Sequence, residues 1–540
     1  MRAKMVTWLV GGWLGLTTLA GVAGAEGSPP GLAARWHFGG LDRLPALGTN
    51  ASRLSELVAL PVTRDLEQQI VTNLAMAPFR FLRHKVGPQA IDHPELLGPL
   101  VTDLLHGESY LELWGPTNAV PGLLLAVRVK PNQAALWSTN LASVISGWTG
   151  IPVVPVRLAG ASGWELKKHH NPNVIRLLRA GDWVVFGWGQ DAVTGETAML
   201  QRIQSQGGPG RLEADQLFEG WVAGKLLSTR AVPWLPVKLP TAAPSVQLTM
   251  GIKADYVRTK AVLQFEEPLQ ISLPPWKPAT NSMDAPLVAF TAVRGISPLL
   301  RRLPVFAAAS GDTVPEQLSA WAAFGAVFNT SFAFPSRNPT NSVKQIGDQL
   351  VGQVNMRMTN GRMGQFRWNA NQTVVEWASL PPMIGPFLRA EAKTNGDFVL
   401  GGMFALPTRR QAPPPELLEQ LAADPKLVYY DWEITGERIK FWRNCFILYS
   451  IVGLGNPVPE RAFHKFLGTI APKLDNTVTE VAMSGPAQLT LTRKSPLGFS
   501  APELLFFARW LDSTGFPLAF APPPPPPLAS PTPKSPAGHP

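Results

Sequence analysis

Residues 273–286 read Leu-Pro-Pro-Trp-Lys-Pro-Ala-Thr-Asn-Ser-Met-Asp-Ala-Pro, a proline-rich seam in the middle of the chain. Proline has no backbone donor and a fixed φ, so neither a helix nor an interior strand runs through such a stretch. The residues flanking it are too many for one hydrophobic core. A boundary near residue 280 is therefore expected, with one half over 35–280 and another over 281–518. The pattern restarts after the seam. Trp36-His37-Phe38-Gly39-Gly40-Leu41 opens the first half as a short strand running into glycine. Pro286-Leu287-Val288-Ala289-Phe290-Thr291-Ala292-Val293-Arg294-Gly295-Ile296 opens the second in the same way. That parallel raises the expectation of an internal duplication.

Hydrophobic periodicity fills in each half. In the first, helical spacing covers 51–60 and 63–82, and strand alternation covers 108–114 and 122–129, a hairpin joined through Gly115-Pro116-Thr117-Asn118. A helix follows over 131–146, then strands over 153–158, 163–167, 174–179 and 182–188, a helix over 192–204, and strands over 248–252 and 261–265. In the second, the pattern predicts helices over 315–327, 342–354 and 383–392, with strands over 330–334, 364–368 and 373–378. Helices over 413–422, 437–452, 460–470 and 501–511, with strands over 427–434 and 487–493, complete it. The fold class is α+β, each half an antiparallel-rich sheet with packed helices. Helices on one face of each sheet leave the other open, and mutual cover of the two open faces is the expected arrangement.

The ends differ from the body. Met1-Arg2-Ala3-Lys4 is positively charged, an apolar run to about Val22 follows, and Ala23 and Ala25 supply small residues for a cleavage site, so 1–25 reads as a cleaved secretory signal peptide. Residues 26–34 read as a flexible leader. Residues 519–540, with six consecutive prolines from Pro522, read as a disordered tail. The expected location is extracytoplasmic, in the periplasm or secreted.

Composition narrows the partners. The chain is 45% hydrophobic and 16% charged, and its net charge is +10, of which Arg2, Lys4 and Lys534 lie in the signal and tail. The remaining basic residues are scattered, so no nucleic-acid partner is expected, whereas weak association with anionic envelope polymers or lipid headgroups fits this charge. Past the signal no apolar run reaches the length of a membrane span; 446–455 is the longest and reads as a buried helix. The one cysteine, Cys445, sits among apolar neighbours and reads as buried and inert. Stability must come from burial, since no internal disulfide can form.

The unit of short opening strand, helices, strand pair, Arg179-Ala180-Gly181-Asp182-Trp183-Val184-Val185-Phe186-Gly187, helix and Leu212-Glu213-Ala214-Asp215-Gln216-Leu217-Phe218 resembles large secreted bacterial proteins of unknown function. The resemblance extends over most of 35–515. It implies a signal-bearing, non-cytoplasmic α+β protein and brings no catalytic residues with it.

Several motifs invite a functional reading and favour a structural one. Gly187-Trp188-Gly189-Gln190-Asp191-Ala192 has the Gly-x-Gly-x-x-Ala form of a dinucleotide turn, but no second strand with an acidic end follows its helix, so a plain strand-turn-helix junction is expected. His84, His93 and His106 share a region with Asp92, Glu95, Asp103 and Glu108, at spacings that match no zinc ligand set. His169-His170 lies in a cationic turn. Neither Gly-x-Ser-x-Gly nor Ser-x-x-Lys occurs. Glu266, Glu267 and Glu376 are candidates for a glycosidase carboxylate pair, with strand-surface charge the simpler reading. Eighteen tryptophans against five tyrosines, among them Trp183, Trp188, Trp432 and Trp442, form no stripe and read as core filling. No catalytic, cofactor-binding or metal-binding residue is assigned, and no cofactor is expected. The sequence thus points to a non-enzymatic exported protein with a role in binding or envelope organisation; the alternative is a secreted hydrolase whose carboxylate- or histidine-based site is not visible in sequence.

Overall fold

Short apolar runs separated by turn residues become strands, and the longer runs with 3.6-residue spacing become helices. The structure is a computed structural model and describes residues 31–86, 93–115, 122–167, 173–226, 243–283, 286–301, 303, 306, 314–324, 329–355, 364–378, 385–393, 396–403, 413–454, 462–511 and 516. The signal, most of the leader, the 116–118 turn residues, His169-His170 and the tail lie outside the described residues.

Among the described residues ten strands precede the seam: β1 (Leu32–Phe38), β2 (Ser109–Trp114), β3 (Gly122–Arg128), β4 (Val154–Leu158), β5 (Ala161–Lys167), β6 (Val174–Ala180), β7 (Trp183–Trp188), β8 (Gln216–Val222), β9 (Ser245–Lys253) and β10 (Tyr256–Gln264). Ten follow it: β11 (Leu287–Arg294), β12 (Gln317–Ala323), β13 (Thr330–Pro335), β14 (Gln365–Trp368), β15 (Val374–Ala378), β16 (Phe387–Lys393), β17 (Gly396–Gly402), β18 (Leu427–Ile434), β19 (Asn476–Gly485) and β20 (Gln488–Ser495). All belong to one antiparallel sheet. Its order, read from the pairings, is β4-β5-β6-β7-β3-β2-β1-β8-β9-β10-β20-β19-β18-β11-β12-β13-β17-β16-β15-β14.

Read outward from the β10–β20 pairing, each strand after the seam holds the place of the strand ten positions earlier. Irregularities coincide as well. β1 breaks register against β2 between Leu32 and Ala34, and β11 against β12 between Leu287 and Ala289. β8 breaks register against β9 between Gln216 and Phe218, and β18 against β19 between Leu427 and Tyr429. The two sets of ten therefore join edge to edge, Lys260 opposite Thr492. This corrects the expected face-to-face cover.

The helices explain why no such cover is needed, because they pack on both faces. They are α1 (Ser52–Ala59), α2 (Pro61–Val86), α3 (Pro94–His106), α4 (Pro131–Thr149), α5 (Gln190–Gln206), α6 (Ser297–Leu300), α7 (Pro339–Gln349), α8 (Pro415–Ala423), α9 (Thr435–Leu454), α10 (Ala462–Ile470) and α11 (Ala501–Leu511). On one face α2, α3 and α4 bury Phe79, Leu100 and Trp137 against Val127 and Val184, while α7 buries Val343 and Ile346 against Phe334 and Val399. On the other, α5 sets Met199 and Leu200 on Leu124 and Val185, and α8 sets Leu417 and Leu421 on Phe290 and Leu400. A third group, α9, α10 and α11 with α1 and α2, forms its own core around Ile439, Leu467, Phe507 and Trp510. Cys445 on α9 is 4% exposed.

Two expectations fail for one reason. Residues 315–327 hold strand β12 where a helix was expected, and 383–392 lead into strand β16. Gln-Leu-Ser-Ala-Trp-Ala-Ala suits a helix by propensity, but its place between β11 and β13 supplies a hydrogen-bonding edge on each side. Apolar neighbours on both faces erase the alternation that would mark a half-exposed strand. The β9–β10 turn shows the converse, local chemistry that was not read. Ala254 and Asp255 both adopt positive φ, 51° and 61°, the two-residue geometry that matches strand twist. Asp255 also accepts hydrogen bonds from Ser52 Oγ (2.8 Å) and the Arg53 amide (3.1 Å), tying the turn to the start of α1.

The seam is fastened down. Arg294, 3% exposed at the end of β11, donates to the carbonyls of Leu427 (2.7 Å), Pro274 (2.8 Å) and Pro425 (2.6 Å). Its guanidinium lies 4.6 Å from the Trp276 ring centroid. Gln317 of β12 donates to the Pro275 carbonyl and accepts from the Lys277 amide.

Candidate functional site

The cleft that stands out lies at the middle of the sheet, beside the β10–β20 pairing. Its volume is about 420 Å³, and it is lined by Tyr256, Pro414, Glu416, Leu417, Gln420, Tyr430, Trp432, Asp475, Asn476, Val478 and Lys494. Strand alternation explains the set: Tyr430 and Trp432 of β18, Val478 of β19 and Lys494 of β20 point to one face, and α8 rises beside them as a wall. Lys494 Nζ sits 4.1 Å from the Tyr256 ring centroid. The Tyr256 hydroxyl donates to Asp475 Oδ2 at 2.9 Å, and Arg53 of α1 also donates to that carboxylate. The Arg53 hydrogen bond, helped by Tyr256, holds the Asp475 carboxyl below its ordinary range. Tyr430 donates to Gln420, which fixes that amide on the wall. The cleft thus offers two half-exposed aromatic rings, the Asp475 carboxylate locked as an acceptor, the exposed Glu416 carboxylate, an ammonium and amides.

The opposite face of the same strands holds a buried polar layer. Asp431 and Glu433 alternate with the cleft residues and lie under α9 and α11. Glu433, 2% exposed, accepts from the Ala501 amide at 2.6 Å, and burial pushes its carboxyl up to about 8. Burial also raises the Asp431 pKa, against the Thr291 hydroxyl that donates to it at 2.6 Å. Arg493 forms an ion pair with Glu503 at 2.6 Å. Burial lowers the Arg438 pKa although Glu433 and Asp431 are near.

The residues singled out in the sequence do not assemble. Gly187 lies near the end of β7, and Gly189 follows the strand with a φ of 103° before α5. The helix leads to β8, which is antiparallel to β1, so the parallel strand pair of a dinucleotide fold is missing at this turn. A Cβ at Gly187 would lie 3.2 Å from Glu196 Oε1, so a buried carboxylate stands where a phosphate would need donors. His93 pairs with Glu95 at 2.7 Å on the surface. His106 is held between Asp42 (Nδ1, 2.9 Å) and Glu67 (Nε2, 2.7 Å). Burial alone would lower the His106 pKa, but these two hydrogen bonds outweigh it and raise it. His84 falls near the end of α2. Among the described residues no group of three or more His, Cys, Asp or Glu is placed to hold a metal ion. Glu266 and Glu267 are exposed past β10, and Glu376 pairs with Arg367 at 3.2 Å. Trp183 and Trp188 are core residues, 2% and 7% exposed.

Tyr256 lies more than 200 residues from Asp475 and Lys494 in the chain, so no local pattern marks the three as one set. Trp432, noted on its strand, was the one pointer. Among the described residues no helix is long and apolar enough to cross a membrane. The chain matches no protein-family model, none of the curated proteins and no solved structure.

Proposed function

We propose that this chain is an exported, non-catalytic binding protein whose central cleft takes a saccharide. The observation that carries the reading is the meeting of Trp432 and Tyr256 with Asp475, Lys494, Gln420 and Asn476 in one open cleft. Sugar rings present apolar C–H faces that stack on aromatic rings, while their hydroxyls pair with carboxylates, ammonium groups and amides. A lowered Asp475 suits an acceptor for sugar hydroxyls and not a general acid. Export rests on the charge and hydropathy pattern of residues 1–25. Titration of the protein with neutral oligosaccharides in a calorimeter is the test. Trp432→Ala is expected to weaken binding about 30-fold, the effect of truncating an aromatic anchor. No heat with any oligosaccharide, or steady release of reducing ends, would overturn the proposal.

The body is further read as two copies of one ten-strand unit. The repeated strand order and the coincident register breaks support this. Superposition of β1–β10 on β11–β20 in a crystal structure checks it, and strands that fail to overlay in that order would refute common descent.

A further inference from the structure

Next to the cleft, the same sheet face continues across β10, β20 and β19 with no helix over it among the described residues, and its chemistry differs from that of the cleft. Arg258 and Lys260 share the Tyr256 side of β10 and are exposed. Arg258 lies directly opposite Lys494 and Lys260 opposite Thr492. Thr492 is also exposed and donates to Glu480 Oε2 at 3.4 Å, so the single carboxylate of this strip is engaged. Gln488 donates to Gln264 at 3.2 Å at the far end. Neither Arg258 nor Lys260 has a hydrogen-bond or ion-pair partner among the described residues. Successive same-face positions on a strand lie about 7 Å apart, so Arg258 and Lys260 follow one another along β10, with Lys494 beside Arg258 on β20 at the edge of the cleft.

We propose that this strip extends the cleft into a track for an acidic polysaccharide, whose carboxylate-bearing sugars lie along Arg258, Lys260 and Lys494 while one sugar ring enters beside Trp432. The inference rests on the saccharide reading of the cleft. Charge complementarity selects an anionic chain, and the Thr492 hydroxyl beside Lys260 and the Gln488 and Gln264 amides at the far end match sugar hydroxyls. Three cations on a flat strand surface are too few for the dense phosphates of a nucleic acid.

The test is calorimetric titration of the whole protein with polygalacturonate, with uncharged dextran, and with single-stranded DNA as a polyanion control. Polygalacturonate is expected to bind more tightly than dextran, to weaken as salt rises, and to weaken about tenfold in Arg258→Ala/Lys260→Ala, two exposed residues whose loss leaves the fold intact. Neutral oligosaccharide binding should be unchanged in that variant and weakened about 30-fold in Trp432→Ala. If polygalacturonate affinity is indifferent to the double substitution, or if DNA binds as well as polygalacturonate, the track is refuted while the cleft reading stands. If neutral oligosaccharides also fail, the cleft reading falls separately.

Discussion

Glu433→Gln is expected to stabilise the protein at pH 9 and to leave it nearly unchanged at pH 5. Glu433 is 2% exposed and its carboxyl is pushed up to about 8 from an ordinary value near 4.5. A carboxyl with a raised folded pKa binds its proton more tightly when folded than when unfolded. Stability therefore falls as pH rises from about 4.5 to about 8, and the whole cost is present above that. At about 1.4 kcal/mol per unit, the loss is on the order of 5 kcal/mol. Glutamine keeps an oxygen to accept from the Ala501 amide and never ionises. His106 acts in the same direction. With a raised pKa, its two-carboxylate bridge contributes fully below about 6.5 and is lost as pH rises through the folded value. Urea denaturation at pH 5 and pH 9 measures both effects. A wild-type midpoint that climbs between those pH values, or a Glu433→Gln gain equal at both, would contradict the assignment.

Much of the architecture was legible because its signals are local. The apolar run 122–129, the turn at Gly181-Asp182 and the helix begun by Pro131 each carry their structure in a few residues, and each appears where expected. The restart after the seam was legible for the same reason, since strand and glycine recur in order. Pairing was not legible. That β10 meets β20, or that β18 lies between β11 and β19, depends on contacts across some 40 to 240 residues that leave no short-range mark. The cleft inherits this limit, because Tyr256, Trp432 and Lys494 converge only once that order is set. Where both sheet faces are covered, as at β12, even the local period disappears.

The seam shows how a stretch that reads as a break can be held as part of the fold, and Arg294 is where that can be tested. Its side chain is 3% exposed and spends its donors on the carbonyls of Pro274, Pro425 and Leu427. Prolines 274 and 425 sit in segments with few amides of their own to satisfy neighbouring carbonyls, so a side-chain donor is the available partner. Arg294→Met keeps the length and removes the fork, leaving three acceptors without their donors. The expected loss is about 3–5 kcal/mol, from stranded buried carbonyls and a weakened Trp276 contact. Arg294→Lys should recover little, because one ammonium cannot span three acceptors held in a planar fork. A structural cost of this kind has a local signature as well as a global one. Limited proteolysis should open a new cut within 273–283 in the methionine variant at a urea concentration where the wild type is intact. If the denaturation midpoint and the cleavage pattern both stay at wild-type values, the seam is held by something other than Arg294, and Gln317, which bonds Pro275 and Lys277, becomes the residue to change next.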